Sequence, residues 1–247
     1  MTLSGKHAVV TGGARGIGAA ITRALVAHGV SVTVLSRTPQ ALDVKCDSVC
    51  ADVANADAVS AAFRLASERS GPIHILVNNA GQAASAPFLK TGVELWRQMM
   101  AVNLDGVLHC TQAVLPGMLE AQWGRIVNVA STAGLTGYAY VSAYCAARHA
   151  VIGLTRSLAL ELASKGITVN AVCPGYTASD MTQQTIANII AKTGRTTEQA
   201  IAALVEHNPQ KRLIEPDEVA SAVAWLCLPE SQALTGQAIA VAGGEIM

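Results

Sequence analysis

An α/β fold is what this sequence predicts, a parallel sheet of about seven strands with helices on both faces. Three observations carry that prediction. Short apolar, β-branched runs alternate with helical patterns almost from end to end. Nothing among the 247 residues reads as a linker, a repeat or a low-complexity stretch, so one domain over 1–247 is expected. Hydrophobic residues make up 51% and charged residues 14%, which allows one large core and is too apolar for disorder.

Strands are expected at 7–10, 31–35, 48–50, 73–77, 125–129, 168–173 and 238–241, each nearly continuous in apolar residues. That is the pattern of strands covered on both faces. Helical patterns fall at 17–28, 56–69, 94–121, 143–164 and 217–228. Two connections break the rhythm. Only about a dozen residues, Thr38 to Val49 with Pro39 near their start, join the second strand to the third, so the crossover helix there is expected to be stunted. Thr177 to Arg212 is the opposite case, a long excursion before the last helix. It holds an apolar-periodic piece (Ile186, Ile189, Ile190) and a second helical start at Thr196-Thr-Glu-Gln199, with capping-box spacing. An insertion after a strand's carboxyl end is where a substrate lid would sit, near 179–212.

Composition narrows the functional classes. Lys plus Arg and Asp plus Glu are balanced at 17 each, which gives no support for nucleic-acid or membrane-surface binding. No apolar run reaches the roughly 18 residues of a membrane span, and the opening residues lack the apolar core of a signal peptide. Six cysteines at 46, 50, 110, 145, 173 and 227 form no C-x-x-C pair and read as reduced thiols of a cytoplasmic protein. The six histidines form no ligand spacing, and no metal is expected.

Thr11-Gly-Gly-Ala-Arg-Gly-Ile-Gly18 follows the first strand and opens the first helix. Gly12, Gly16 and Gly18 suit a sharp turn whose backbone approaches a pyrophosphate, with Ile17 starting the helix whose N-terminus binds it. This is the signature of a Rossmann-type dinucleotide site. The end of the second strand discriminates between cofactors. NAD(H) calls for a carboxylate there, and this chain has Ser36-Arg37, which together with Arg15 suits the 2′-phosphate of NADP(H). NAD(H) is the weaker expectation. Asp52 and Val53 follow the third strand and are placed to meet adenine. Asn79, Ala80 and Gly81, in Asn78-Asn-Ala-Gly81 after the fourth, bring small groups to the ribose.

Ser131 ends the fifth strand, and Tyr144-Cys-Ala-Ala-Arg148 sits on the next helix. Spacing of i, i+4 puts the phenol and the guanidinium on one face. Reducing a ketone leaves negative charge on oxygen as hydride reaches carbon. A phenol, ordinarily near 10, gives up its proton near neutrality where a neighbouring cation favours the phenolate, and a serine hydroxyl can bind the developing oxyanion.

In this order and spacing, the glycine turn, Asn-Asn-Ala-Gly, Ser131, Tyr144-x-x-x-Arg148 and Pro174-Gly175 resemble the short-chain dehydrogenase/reductase family over essentially the whole chain. The resemblance implies Tyr144 as proton donor, Ser131 on the substrate oxygen and Asn103 on a relay water. It further implies Pro174, Gly175 and Thr177 against the nicotinamide, with Ser179 near its amide or phosphate. One position departs from the pattern: the family's lysine, which also grips the nicotinamide ribose, is Arg148 here. The stretches 153–161, 167–175 and 235–238 are most similar to 3-oxoacyl-thioester reductases and 3-hydroxyacyl-CoA or 3-hydroxybutyrate dehydrogenases, and aromatic polyketide ketoreductases share the same stretches. An NADP(H)-preferring reductase of a 3-oxoacyl thioester is therefore expected, as a homotetramer, with Gln82, Leu135, Tyr138, Tyr176 and the lid isoleucines as candidate pocket residues. Two alternatives stay open: a dehydrogenase of a cyclic or aromatic alcohol, and a catalytically weak cofactor-binding partner subunit.

Overall fold

The computed structural model describes residues 3–38 and 40–247; Pro39, at the start of the short second connection, lies outside them. Seven strands, β1 (His7–Thr11), β2 (Ser31–Ser36), β3 (Asp47–Cys50), β4 (Ile75–Asn78), β5 (Gly124–Val129), β6 (Ile167–Pro174) and β7 (Ala238–Val241), form one sheet in the order β3-β2-β1-β4-β5-β6-β7. Every pairing is parallel. The order reverses between β1 and β4, and the crevice at that switch point is where a doubly wound sheet takes its ligand.

Alternation along the strands sorts the core onto two faces. Ala8 and Val10 point into one layer with α1 (Gly16–Ala27) and α8 (Pro216–Cys227), where Ile21, Leu25, Val219 and Val223 are fully buried. Val9 points the other way, toward α2 (Ala56–Ser70), α4 (Gly106–Ala121) and α5 (Ser142–Leu162). Each such aliphatic side chain contributes about 1.5–3 kcal/mol on burial. One polar chain crosses the second layer. Asn78 Nδ2 donates to Asn128 Oδ1 at 2.9 Å and to Thr111 Oγ1 at 3.3 Å, and Asn128 Nδ2 donates to Thr155 Oγ1 at 2.9 Å. These bonds tie α4 and α5 to the two central strands, and α5 is the helix that carries Tyr144 and Arg148.

Two expectations change in detail. The helix expected over 94–121 is broken: α3 (Val93–Met100) runs into a π-helical turn at Ala101–Asp105 before α4 begins. A π turn admits one extra residue, and the residue it turns inward is Asn103, which is wholly buried. A 3.6-residue hydrophobic period cannot reveal such an insertion, because the pattern resumes after it. The crossover expected to be stunted contains no helix at all over 40–46. The excursion after β6 forms α6 (Asp180–Thr193) and α7 (Thr197–Leu204), and α7 starts with the expected capping box between Thr196 and Gln199.

Candidate active site

Backbone chemistry builds the first wall of the crevice. Gly12 and Gly16 take positive φ of 63° and 50°, a region closed to most side chains. A Cβ on Gly18 would lie 2.6 Å from Asn79 Nδ2 and closer still to the Gly12 carbonyl, so that position tolerates only glycine. Thr11 locks the turn to the strand beside it: its Oγ1 accepts from the backbone N–H of Asn79 (3.0 Å) and Ala80 (2.9 Å). Asn79 returns the contact, donating to the carbonyls of Thr11 (2.9 Å) and Gly12 (3.2 Å). The Asn79 side chain thus acts by holding the glycine turn. Helix α1 begins with no side-chain cap and no acidic residue in its first turn. Its first N–H groups are left for an anion, which is the fit a dinucleotide pyrophosphate requires. Ser179, the N-cap of α6, stands across from Gly16, 3.5 Å from where a Cβ there would be.

The other expected cofactor residues gather more loosely. Ser36 donates to the Thr38 carbonyl at 2.8 Å, while Arg37 is exposed and makes no side-chain bond among the described residues. Arg15 reaches Asp180 of α6 at 3.9 Å, both side chains being well exposed, and makes no bond to Ser36 or Arg37. Asp52 caps its own turn by accepting from Ala54 N at 3.0 Å. Val53 is buried beneath Gly106, where a Cβ would meet it at 2.8 Å.

The residues expected to react come together from four segments. Ser131 follows β5 and caps a 3-10 turn, accepting from Ala133 N at 3.1 Å, so its hydroxyl proton remains free to donate. That turn packs directly on α5, since a Cβ on Gly134 would come within 2.8 Å of the Arg148 carbonyl. Arg148 is buried; its Nη1 donates to the Val129 carbonyl at 3.2 Å, its Nε has no partner, and its guanidinium carbon lies 5.2 Å from the centre of the Tyr144 ring. Gly81 makes room for that guanidinium: a Cβ there would overlap Nη2 and lie 3.0 Å from Asn103 Oδ1. Asn103 is held by Gln82, donating to its carbonyl (2.9 Å) and accepting from its N–H (3.1 Å), and donates again to the Met99 carbonyl (2.9 Å). Gln82 therefore works here through its main chain. Leu135, another candidate pocket residue, packs into a small core cluster with Val151 and Ile152. Of the lid isoleucines, Ile186 is buried, and Ile189 and Ile190 are half-buried.

Beyond β6, Pro174 and Gly175 lead into a loop stitched to the chain before α8. Thr177 donates to the Gly175 carbonyl at 3.0 Å, and Ile214 exchanges backbone bonds with Tyr176 (2.9 Å) and Ala178 (2.8 Å). The Tyr138 and Tyr176 rings meet edge to face, 6.5 Å between centres. One residue at this wall was not anticipated from the sequence. Glu245 accepts a hydrogen bond from the Tyr138 hydroxyl, which also lies 2.9 Å from Thr132 Oγ1. The signal was there to read: two glycines immediately before the glutamate, the mark of a chain reversal.

A doubly wound sheet with a glycine cradle, an uncapped helix start and a Tyr/Arg/Ser/Asn cluster at its switch point defines a nicotinamide-dependent oxidoreductase. The chain belongs to the short chain dehydrogenase family, whose model matches residues 6–189. It is similar to the 3-oxoacyl-(acyl-carrier-protein) reductase FabG of Vibrio cholerae, 37% identical over 254 residues with 100% of each chain covered. It is also similar to the D-beta-hydroxybutyrate dehydrogenase of Cupriavidus necator, 36% identical over 255 residues and 98% of each chain. Among solved structures, an actinorhodin polyketide ketoreductase variant crystallised with NADPH superposes with a TM-score of 0.93 at 37% identity, covering 99% of both chains.

Proposed function

We propose that this enzyme reduces a 3-oxoacyl thioester to the 3-hydroxyacyl compound with NADP(H), working as a cytoplasmic homotetramer. The observation that carries the reading is the convergence of Tyr144, Arg148, Asn103 and the Ser131 turn beside the glycine cradle. Bound in the crevice, the nicotinamide supplies the hydride. The glycine turn of Gly12, Gly16, Ile17 and Gly18 holds the pyrophosphate, with Ser179 closing over it. Ser36, Arg37 and Arg15 favour the 2′-phosphate, since none of them repels it. Asp52 and Val53 border the adenine; Ala80 and Gly81, positioned by Asn79, border the ribose; Pro174, Gly175 and Thr177 border the nicotinamide.

Ser131 donates to the substrate oxygen as charge develops, and Tyr144 delivers the proton to that oxygen. Arg148 provides a fixed positive charge beside the phenol ring, which favours the charge left on Tyr144 once its proton has gone. Asn103 orients the Gln82 segment and a relay water. Leu108 and Leu119 of α4 and Leu160 of α5 are exposed, which supports association through these helices.

A second reading rests on Arg148. Its guanidinium is anchored to the Val129 carbonyl and pressed against Gly81, with Nε unpaired. A planar fork so placed has less freedom than an ammonium to meet a ribose hydroxyl, which would make the chain a weak catalyst kept for cofactor binding. Following NADPH absorbance with acetoacetyl-CoA, beside NADH and beside Arg148→Lys, separates the two readings. Turnover by the wild type, faster with NADPH, supports the reductase. Turnover by Arg148→Lys alone supports the binding subunit, and turnover by neither removes the thioester as substrate.

A further inference from the structure

We infer that Glu245 is a specificity-determining residue, a fixed negative charge in the wall of the substrate pocket that turns away substrates bearing a free carboxylate and admits neutral 3-oxoacyl esters. This rests on the reductase reading above and names which members of that substrate class the site takes.

The tail is built to bring this carboxylate to the site. Gly243 and Gly244 have φ of 61° and 89°, and Glu245 N donates to the Ala242 carbonyl at 3.1 Å. Two successive positive-φ residues closed by that bond make a type I′ reversal, which only glycine-like positions adopt readily. The turn is wedged from outside: a Cβ on Gly243 would overlap Asn208, and one on Gly244 would meet Pro209 at 3.2 Å. Asn208 is itself buried and fixed, donating to the Arg212 carbonyl at 2.9 Å and accepting from Gln210 N at 2.8 Å. The direction taken after the turn is therefore set by packing.

What it presents is a carboxylate among the groups that border the reacting centre. One oxygen accepts from Tyr138, and the other lies 3.1 Å from where a Cβ on Gly175 would stand. Tyr176 completes the wall, its ring edge to face with Tyr138 at 6.5 Å; burial pushes its phenol up, and the Glu245 carboxylate pushes it further. No lysine or arginine pairs with Glu245 among the described residues, so its charge is uncompensated.

The test compares acetoacetate with its neutral N-acetylcysteamine thioester, as kcat/KM with NADPH, in the wild type, Glu245→Gln and Tyr138→Phe. Glu245→Gln keeps an acceptor for Tyr138 and removes only the charge. It should raise kcat/KM for acetoacetate by about tenfold or more relative to the thioester, a modest effect for a unit charge in a half-buried site. Tyr138→Phe removes the hydrogen bond and keeps the charge, so the wild-type discrimination should persist. Equal changes for both substrates in Glu245→Gln, or no change, overturn the inference while leaving the reductase reading standing. Calorimetric binding of 3-hydroxybutyrate and of its methyl ester to the NADP+-loaded protein gives a readout besides turnover. If no variant turns over either ketone but Glu245→Gln still selectively gains affinity for the acid, Glu245 is upheld as the group that turns away carboxylates while the reductase reading falls. Absence of turnover together with unchanged relative binding overturns both.

Discussion

The two sides of the crevice are built by different means. On the β1–β4 side, the wall is main chain locked by side chains: Thr11 and Asn79 make two hydrogen bonds to each other and one each to Ala80 and Gly12, all of 2.9 to 3.2 Å, and Gly18 leaves no room for a methyl group. On the β6 side, the wall is side chains carried on loops, Tyr138, Tyr176 and Glu245, and the chain after it forms α6 and α7, most of whose residues are exposed. A cofactor is one invariant shape, so its wall can be rigid. Substrates vary, and a wall of loop-borne side chains changes specificity without disturbing the sheet.

Four measurements would break or sharpen this contrast. The largest effect is expected from Gly18→Ala. The added methyl must displace backbone and the Asn79 amide, costing about 2–3 kcal/mol of stability and abolishing NADPH binding by fluorescence titration. Binding close to wild type would show that the first wall is not rigid. Next comes Asn128→Ala, which removes the middle of the chain from Thr111 to Thr155 and leaves Asn78, whose Oδ1 already lacks a partner, with one 3.3 Å bond. Urea unfolding should show a loss of about 2–3 kcal/mol.

A third measurement probes the other end of the strands through pH. His7 is buried with Nδ1 on the Gly71 carbonyl (2.8 Å) and Nε2 on Thr33 Oγ1 (2.9 Å); burial lowers its pKa, and burial with the nearby Lys6 lowers that of His74. The unfolded chain then binds protons that the folded one refuses. Stability from these two groups is complete above about 6.5 and falls as pH drops below it, by at most about 1.4 kcal/mol per group per pH unit until the folded pKa is reached. Denaturant midpoints at pH 7, 6 and 5 check the sign, and His7→Gln should flatten the slope. The smallest effect is expected from Arg15→Ala. Its contact with Asp180 is 3.9 Å long and exposed, so the melting temperature should barely move, with a change below about 0.5 kcal/mol. A larger loss would mean that α6 is fastened to the glycine turn more firmly than its exposed contact suggests.

Legibility from the sequence followed the range of the interactions involved. Strand and helix positions are local patterns, and all seven strands lie where alternating apolar runs place them. The α7 capping box was readable for the same reason, its partners being three residues apart. The π turn was not, because a single inserted residue leaves the flanking periods intact. Nor was the role of Gln82, whose backbone fastens Asn103 from 21 positions away.

By itself the sequence determined the alternating strands and helices of the sheet and the glycine cradle, since each depends on residues close together in the chain, and it named the candidate side chains of the site. Tertiary structure alone decided where the Arg148 guanidinium points and that Gly81 must make way for it. It also decided that Glu245, 107 residues beyond Tyr138, ends in the same wall. Those outcomes depend on how the ends of β4, β5 and β6 and the tail after β7 stack at one edge of the sheet. Pairwise packing of that kind leaves no periodic trace along the chain.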